Sequence, residues 1–496
     1  VDYTELQSLP AELGRFHAWD NHALTEALPE ARTSGRSREP MPPIDVVDIH
    51  RWRHEVEEVQ RAGAPAVGQR EGDVVMAASF TPLLILFLAA PTAPEAVSTE
   101  GWKPYAVREE TAPRSFSERG GQGELVLGLA GRGDDAVDGR WVREVPVVPE
   151  KTYAFRASWR AQDVDSPARS VLARLVFLDA AGEPMRPMEY PMIGARGADG
   201  WTPVAGVYRA PEKAAKVRLE LHLRWTAKGE VRFRGADFRE ATPAAPRRVT
   251  LATVNHRPRD TKSPEESRDR FVRLVEEAAA KGADIVCLPE GITLVGNGLK
   301  YAQVAEPVPG PSTEFLGALA KRLGVWLVAG IFERSGARIY NTAVLIGRDG
   351  SLAGRYRKMA LPDEEIEGGI TPGSDTPVFD TDFGRVGLMI CWDSSYPEVA
   401  RSLATRGAEV LMLPIWGGVE ELVRARAIEN QAYVVASGYD FRSGIFDRNG
   451  KRIADAKGDP EVVVATVDLA EPTLWPWLGN WRARIDREAP AWTEER

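Results

Sequence analysis

Val386-Gly-Leu-Met-Ile-Cys391-Trp-Asp-Ser-Ser-Tyr-Pro397 is a short uncharged run that stops in a thiol and passes through a turn into a helix over 398–406. An uncharged run of this length, bounded by turn formers, reads as a strand buried on both faces, as in parallel sheets with covering helices. Cys391 then sits on a strand-to-helix turn, among backbone N–H groups and near a helix start. Both surroundings favour thiolate and can hold an oxyanion. Alone, such a cysteine is more often a small buried hydrophobe. No His/Asn pair accompanies it, and His256 falls at the other end of the segment. A papain-like site is therefore not indicated.

Two further strands end in reactive groups. Ile285-Val-Cys-Leu-Pro-Glu290 is apolar until its acid, and Gly354-Arg-Tyr-Arg-Lys358 ends in an amine ahead of Met359-Ala-Leu-Pro362. Open α/β sheets carry their sites at the carboxyl edges of strands. An acid, an amine and a thiol at three such ends are a constellation, although each has a bland reading as a cap, a solvated charge or a core residue.

The surrounding pattern is α/β. Val249-Thr-Leu-Ala-Thr-Val254 reads as a buried strand, and Ser263-Pro-Glu-Glu266 as a capping box with proline at the first helical position. Phe271, Leu274, Val275 and Ala278 give that helix its apolar face, and Gly282 closes it. Strands are expected over 285–288, 325–331, 340–346, 352–356, 386–390, 410–413, 432–437 and 462–467. Further helices are expected over 313–323, 398–406 and 420–430. The Arg348-Asp-Gly350 turn joins two strands as a hairpin, which makes the sheet mixed.

The Leu-Pro-Glu290, Tyr-Arg-Lys358 and Gly-Leu-Met-Ile-Cys391-Trp-Asp blocks, with Arg424-Ala-Arg-Ala-Ile-Glu-Asn430, resemble those of the nitrilase superfamily of carbon–nitrogen hydrolases, in order and spacing, from about Val249 to Asp468. The resemblance implies an α-β-β-α sandwich. It implies Cys391 as nucleophile, Glu290 as general base, and Lys358 with the Trp392 backbone N–H as the oxyanion holder. It also implies a second glutamate before Pro372-Gly373; Glu367 has the best spacing, with Glu364 and Glu365 open. Trp416 is a candidate substrate-pocket wall, and a core or interface position is an equal reading. A homodimer through helices 398–406 and 420–430 is implied as well.

Residues 97–245 change character. Short alternating runs separated by Pro149-Glu-Lys, Asp179-Ala-Ala-Gly182 and Asp199-Gly200 argue for an antiparallel β-sandwich. In the run Val217–Leu223, Val217, Leu219, Leu221 and Leu223 face one side, and Arg218, Glu220 and His222 the other. Trp102, Trp141, Pro149, Tyr153, Phe177, Asp179, Gly182, Trp201, Val231 and Phe233 resemble the markers of jelly-roll carbohydrate-binding modules. A glycan is accordingly a candidate partner, with Trp159, Trp225 or Tyr190 as stacking rings, although fold does not fix function.

Upstream, residues 1–73 are rich in proline and charge and are expected to be poorly ordered. Residues 74–96 hold an apolar run, 83–90, too short to span a bilayer but suited to the h-region of an export signal. Ala90, Ala93 and Ala96 offer cleavage positions, and Met76 would be the start. Glu71 and Asp73 speak against a positive flank if the chain begins earlier. The readings are export to a periplasmic or extracellular space, membrane anchoring, or an ordinary buried segment.

Composition limits the rest. The 496 residues exceed one ordinary domain, and 246–496 is expected to be the hydrolase part. A net charge of −9 without a basic, aromatic-rich tract excludes nucleic acid as a natural partner. Two cysteines and six histidines offer no disulfide framework and no zinc motif, so neither metal nor cofactor is expected. The reading is a cysteine hydrolase that cleaves small-molecule amides or N-carbamoyl compounds. Nitrile hydrolysis is the alternative chemistry, and a catalytically silent glycan-binding protein the alternative class.

Overall fold

The computed structural model describes residues 99–471, 474–475, 479–485 and 487–488. The expected extension and export segment lie outside the described residues.

From Arg248 onward two six-stranded mixed sheets dominate. The first runs in the order Leu352–Arg357, Arg338–Ile346, Trp326–Ser335, Ile285–Cys287, Arg248–Asn255, Glu461–Asp468. The second runs Val378–Asp380, Arg385–Leu388, Val410–Pro414, Tyr433–Ser437, Gly444–Phe446, Arg452–Asp455. Each has three parallel strands at its centre and antiparallel strands toward its edges. The central strands are the uncharged runs seen in the sequence, because only they are covered on both faces. Leu251, Ile285, Val328 and Leu345 of the first sheet share one buried core with Val386, Leu411, Val434 and Ile445 of the second. Helices Val272–Ala280 and Pro311–Leu323 cover the other face of the first sheet through Leu274, Val275, Leu316 and Ala320. Helices Pro397–Thr405 and Glu420–Asn430 pack on the second through Leu403 and Ala427.

The local signals explain these elements with two departures. Ser263 accepts a hydrogen bond from the Glu266 N–H at 3.2 Å, and Gly282 takes a left-handed φ of +79° after the helix. The single helix expected there is instead two, Pro264–Asp269 and Val272–Ala280, which meet at Arg270 and Phe271. Strands Val378–Asp380, Gly444–Phe446 and Arg452–Asp455 carry too few residues for a periodic signal and exist through their pairing.

The N-terminal part consists of antiparallel sheets. One contains Lys103–Ala106, Asp138–Pro146, Lys216–Arg224 and Val171–Leu178. The other contains Arg114–Arg119, Leu125–Ala130, Glu230–Glu240, Thr152–Gln162, Thr202–Arg209 and Met192–Ile193. Phe155, Phe177, Leu219 and Phe233 contribute to a core common to both. The polar face of Lys216–Arg224 is not a solvent face: Glu220 and His222 are both wholly buried. Glu220 accepts hydrogen bonds from Arg174, Arg218 and His222 at 2.6, 2.8 and 2.9 Å, which makes a buried carboxylate tolerable. Burial pushes His222 down to about 3 and leaves it neutral. Of the rings considered for sugar stacking, Trp159 belongs to the core. Tyr190 lies beneath Arg484 and Arg487, and Trp225 is exposed.

Candidate active site

The three strand ends named by the sequence are held by identifiable local contacts. After Ile285–Cys287 the Leu288 N–H still pairs with the Val328 carbonyl at 2.8 Å, then Pro289 turns the chain and Glu290 follows. A Cβ at Gly330 on the adjoining strand would lie 2.6 Å from the Glu290 Cα, so only glycine permits this approach. Lys358 prolongs the Leu352–Arg357 strand, its N–H donating to the Asn341 carbonyl at 2.8 Å. Cys391 opens the turn Cys391–Ser395 with a φ of +43°, in the left-handed region that costs a non-glycine residue about 1–3 kcal/mol.

Asp393 fixes that turn. It accepts from the Ile390 N–H at 2.9 Å, from the Tyr356 hydroxyl at 2.8 Å and from the Ala360 N–H at 2.9 Å. One buried carboxylate thus ties the cysteine turn to the strand and loop that carry Lys358. Burial raises Asp393 to about 6, against the pull of those donors. Arg426, from the Arg-Ala-Ile-Glu-Asn block, donates its Nε to the Ser394 carbonyl at 3.1 Å, a second brace on the same turn.

At the centre Lys358 is almost wholly buried, with its Nζ 3.0 Å from both Glu290 Oε1 and Glu365 Oε1. Asn341 donates its Nδ2 to the same two oxygens at 2.6 Å. A cation and an amide therefore bridge two carboxylates that would otherwise repel. Burial works against the ammonium, but Glu290, Cys391 and Glu365 hold it well above the ordinary lysine value. Burial raises Glu365 to about 7, opposed by Lys358 and assisted by Glu290. Glu290 Oε2 and Glu365 Oε2 are buried without a hydrogen-bond partner among the described residues.

This cluster forms part of the wall of a cavity of about 810 Å³, which Cys391 and Trp416 also line. The Cys391 thiol donates to the Gly417 carbonyl at 3.4 Å. Burial raises it to about 12, with the Glu290 charge adding and Lys358 opposing, so the resting group is a thiol. Trp416 lines the cavity and also packs against the core, edge-on to the half-buried Tyr439 at 4.9 Å between centroids. The Trp392 side chain, in the same turn, is exposed. The expectation for Glu367 is corrected: helix Asp363–Glu367 turns Glu365 inward to Lys358, while Glu364 and Glu367 are exposed residues of the cavity lining. Spacing misses this because a single helical turn, not a loop, separates the three glutamates. Asn341 escaped the sequence reading too. The signal was present: it is a polar residue inside the buried run Ile339-Tyr-Asn-Thr-Ala-Val-Leu345.

A carbon–nitrogen hydrolase family model matches residues 249–476. An omega-amidase of Xenopus laevis is 35% identical over 233 residues, covering 40% of this chain and 82% of the relative. The chain belongs to the carbon–nitrogen hydrolase family. The human omega-amidase is 34% identical over 232 residues, with 40% of this chain and 82% of the relative covered. Among solved structures, a nitrilase-superfamily protein of Saccharomyces cerevisiae, Nit3, aligns with a TM-score of 0.41 at 24% identity, over 46% of this chain and 92% of its own. The matched segment of this hydrolase contains Glu290, Asn341, Lys358, Glu365, Cys391 and Trp416 together.

Proposed function

We propose that this hydrolase cleaves the C–N bond of small-molecule amides through a thioester on Cys391. The observation that carries the reading is the buried Glu290–Lys358–Glu365 cluster sharing one cavity with that thiol. The omega-amidase relatives support an amide as the substrate class.

The groups divide the work by what each has left to offer. Glu290 spends Oε1 on Lys358 and Asn341 and keeps Oε2 free to take the thiol proton as sulfur attacks the carbonyl. A thiol near 12 loses its proton to that base in the attack rather than before it. Lys358 has three N–H donors, of which two point at glutamates; the third, with the Trp392 backbone N–H, holds the oxyanion. Protonated Glu290 then returns the proton to the departing amine. Water activated by the same carboxylate hydrolyses the thioester, and the acid leaves. Glu365 keeps Lys358 aimed and charged. N-carbamoyl compounds present the same carbonyl and fall within the reading.

Residues 97–245 we read as a jelly-roll domain preceding the hydrolase domain 246–496. Their antiparallel sheets support this, and Trp225, exposed but with the Arg169 and Arg224 guanidiniums over its ring, is the remaining candidate for stacking on a glycan.

The test is ammonia release from a panel of aliphatic amides and carbamoyl compounds, with intact-protein mass taken during turnover. An acyl adduct on Cys391 that is absent from Cys391→Ala supports the mechanism. Undiminished turnover by a folded Cys391→Ala protein refutes it.

A further inference from the structure

The acyl end of the substrate has its own chemistry in this cavity. Leu294, Leu299, Tyr301 and Phe332, which cluster together, give the cavity an apolar wall, with the Tyr301 and Phe332 rings 4.7 Å apart. At the opening the short helix Asp363–Glu367 presents Glu364 and Glu367, both exposed and both lining the cavity. Among the described residues Lys300 is the single cationic side chain of the lining besides Lys358. Lys358 is already bonded to two carboxylates deeper in.

The formal lining charge is therefore four glutamates against two lysines, and no arginine lines the cavity among the described residues. Nearby guanidiniums have other partners. Arg334 donates to the Ala302 carbonyl, Arg257 pairs with Asp440, and Arg357 pairs with Glu333. The buried, unpartnered Oε2 atoms of Glu290 and Glu365 add acceptor oxygens rather than donors. A carboxylate at the distal end of a substrate would meet like charge and find no arginine fork to receive it. An ammonium would meet two carboxylates after an aliphatic stem has crossed the apolar wall.

We propose that this site selects amides whose acyl chain ends in an amine, with Glu364 and Glu367 as the specificity residues. This rests on the amide-hydrolase reading above and adds the substrate class. Rim carboxylates of this exposure are worth roughly up to fivefold each at low ionic strength, and salt weakens them. The preference should reside mainly in KM, because the distal ammonium is held alike in ground and transition states.

The experiment compares kcat/KM on three amides of matched aliphatic stem: 5-aminopentanamide, hexanamide and adipamate. A parallel series two methylenes shorter covers the depth of the cavity. Amine above neutral above carboxylate is the expected order. The amine-to-neutral ratio should fall roughly five- to tenfold in Glu364→Gln/Glu367→Gln, and also when salt is raised in the unmodified protein. Hexanamide turnover with adipamate preferred, or with discrimination unaltered in the double variant, overturns the proposal while leaving the amide-hydrolase reading in place. Failure to hydrolyse any member of either series overturns both.

Discussion

Replacing Lys358 by methionine, which keeps the stem and deletes the charge, tests the centre of the site through both stability and rate. Its ammonium lies 3.0 Å from Glu290 and from Glu365, with all three side chains nearly excluded from solvent. At an effective dielectric of about 20 each contact represents about 5 kcal/mol of gross attraction, most of it offset by the cost of burying the charges. Deleting one partner leaves the burial cost without the attraction, and such losses run to about 3–5 kcal/mol. The deficit should depend on pH with a definite sign. Glu365 is already raised from its ordinary 4.5 to about 7, and loss of Lys358, which opposes that rise, lifts it further. Between the unfolded and folded values the folded state binds the extra proton, so stability is lost as pH rises through that window. The variant should therefore be most impaired near pH 8 and approach the parent near pH 5. Alkylation of Cys287 during a urea titration gives the readout, since this wholly buried thiol reports opening of the hydrolase sheet and not of the N-terminal sheets. A parallel measurement of kcat should show a loss of order 10²–10³ for a missing oxyanion donor. A deficit below about 1 kcal/mol at pH 8, or one equal at both pH values, would refute the account of the cluster.

Glu365→Gln removes the inward carboxylate while keeping its shape and should lower kcat at least tenfold, more than Glu367→Gln does; the opposite ranking would return the second-glutamate role to Glu367. In the native protein iodoacetamide should label Cys391 before Cys287, because the first lines the cavity and the second is enclosed between sheets; peptide mapping that finds equal labelling contradicts this. Its rate should climb with pH up to about 12 as the thiolate fraction grows. Asp393→Ala strands the Ile390 and Ala360 N–H groups and the Tyr356 hydroxyl, and should cost about 2–4 kcal/mol as well as activity. Thermal unfolding within a degree of the parent would show that the turn does not depend on it.

The sequence by itself determined the α/β class, the central strands and the reactive trio. Uncharged runs bounded by turn formers read as doubly covered strands, and Glu290 and Cys391 each close such a run, while Lys358 closes an edge strand that carries two arginines; all three lie where side chains reach the sheet's carboxyl edge. Helix starts such as Ser263-Pro264 were legible because capping is a local interaction. Tertiary structure alone decided what depends on neighbours distant in the chain. Residue spacing cannot state which of Glu364, Glu365 and Glu367 faces Lys358, since all three lie on one helical turn whose rotation is set by packing. Asn341 becomes a site residue only when its strand pairs with the one that leads to Lys358 on one side and with Trp326–Ser335, the neighbour of the Glu290 strand, on the other. Glu220 and His222 alternate like a solvent face, yet they are buried because Arg174 and Arg218 satisfy the carboxylate. Periodicity records which residues share a face, and the contacts that cover the face record whether it is wet.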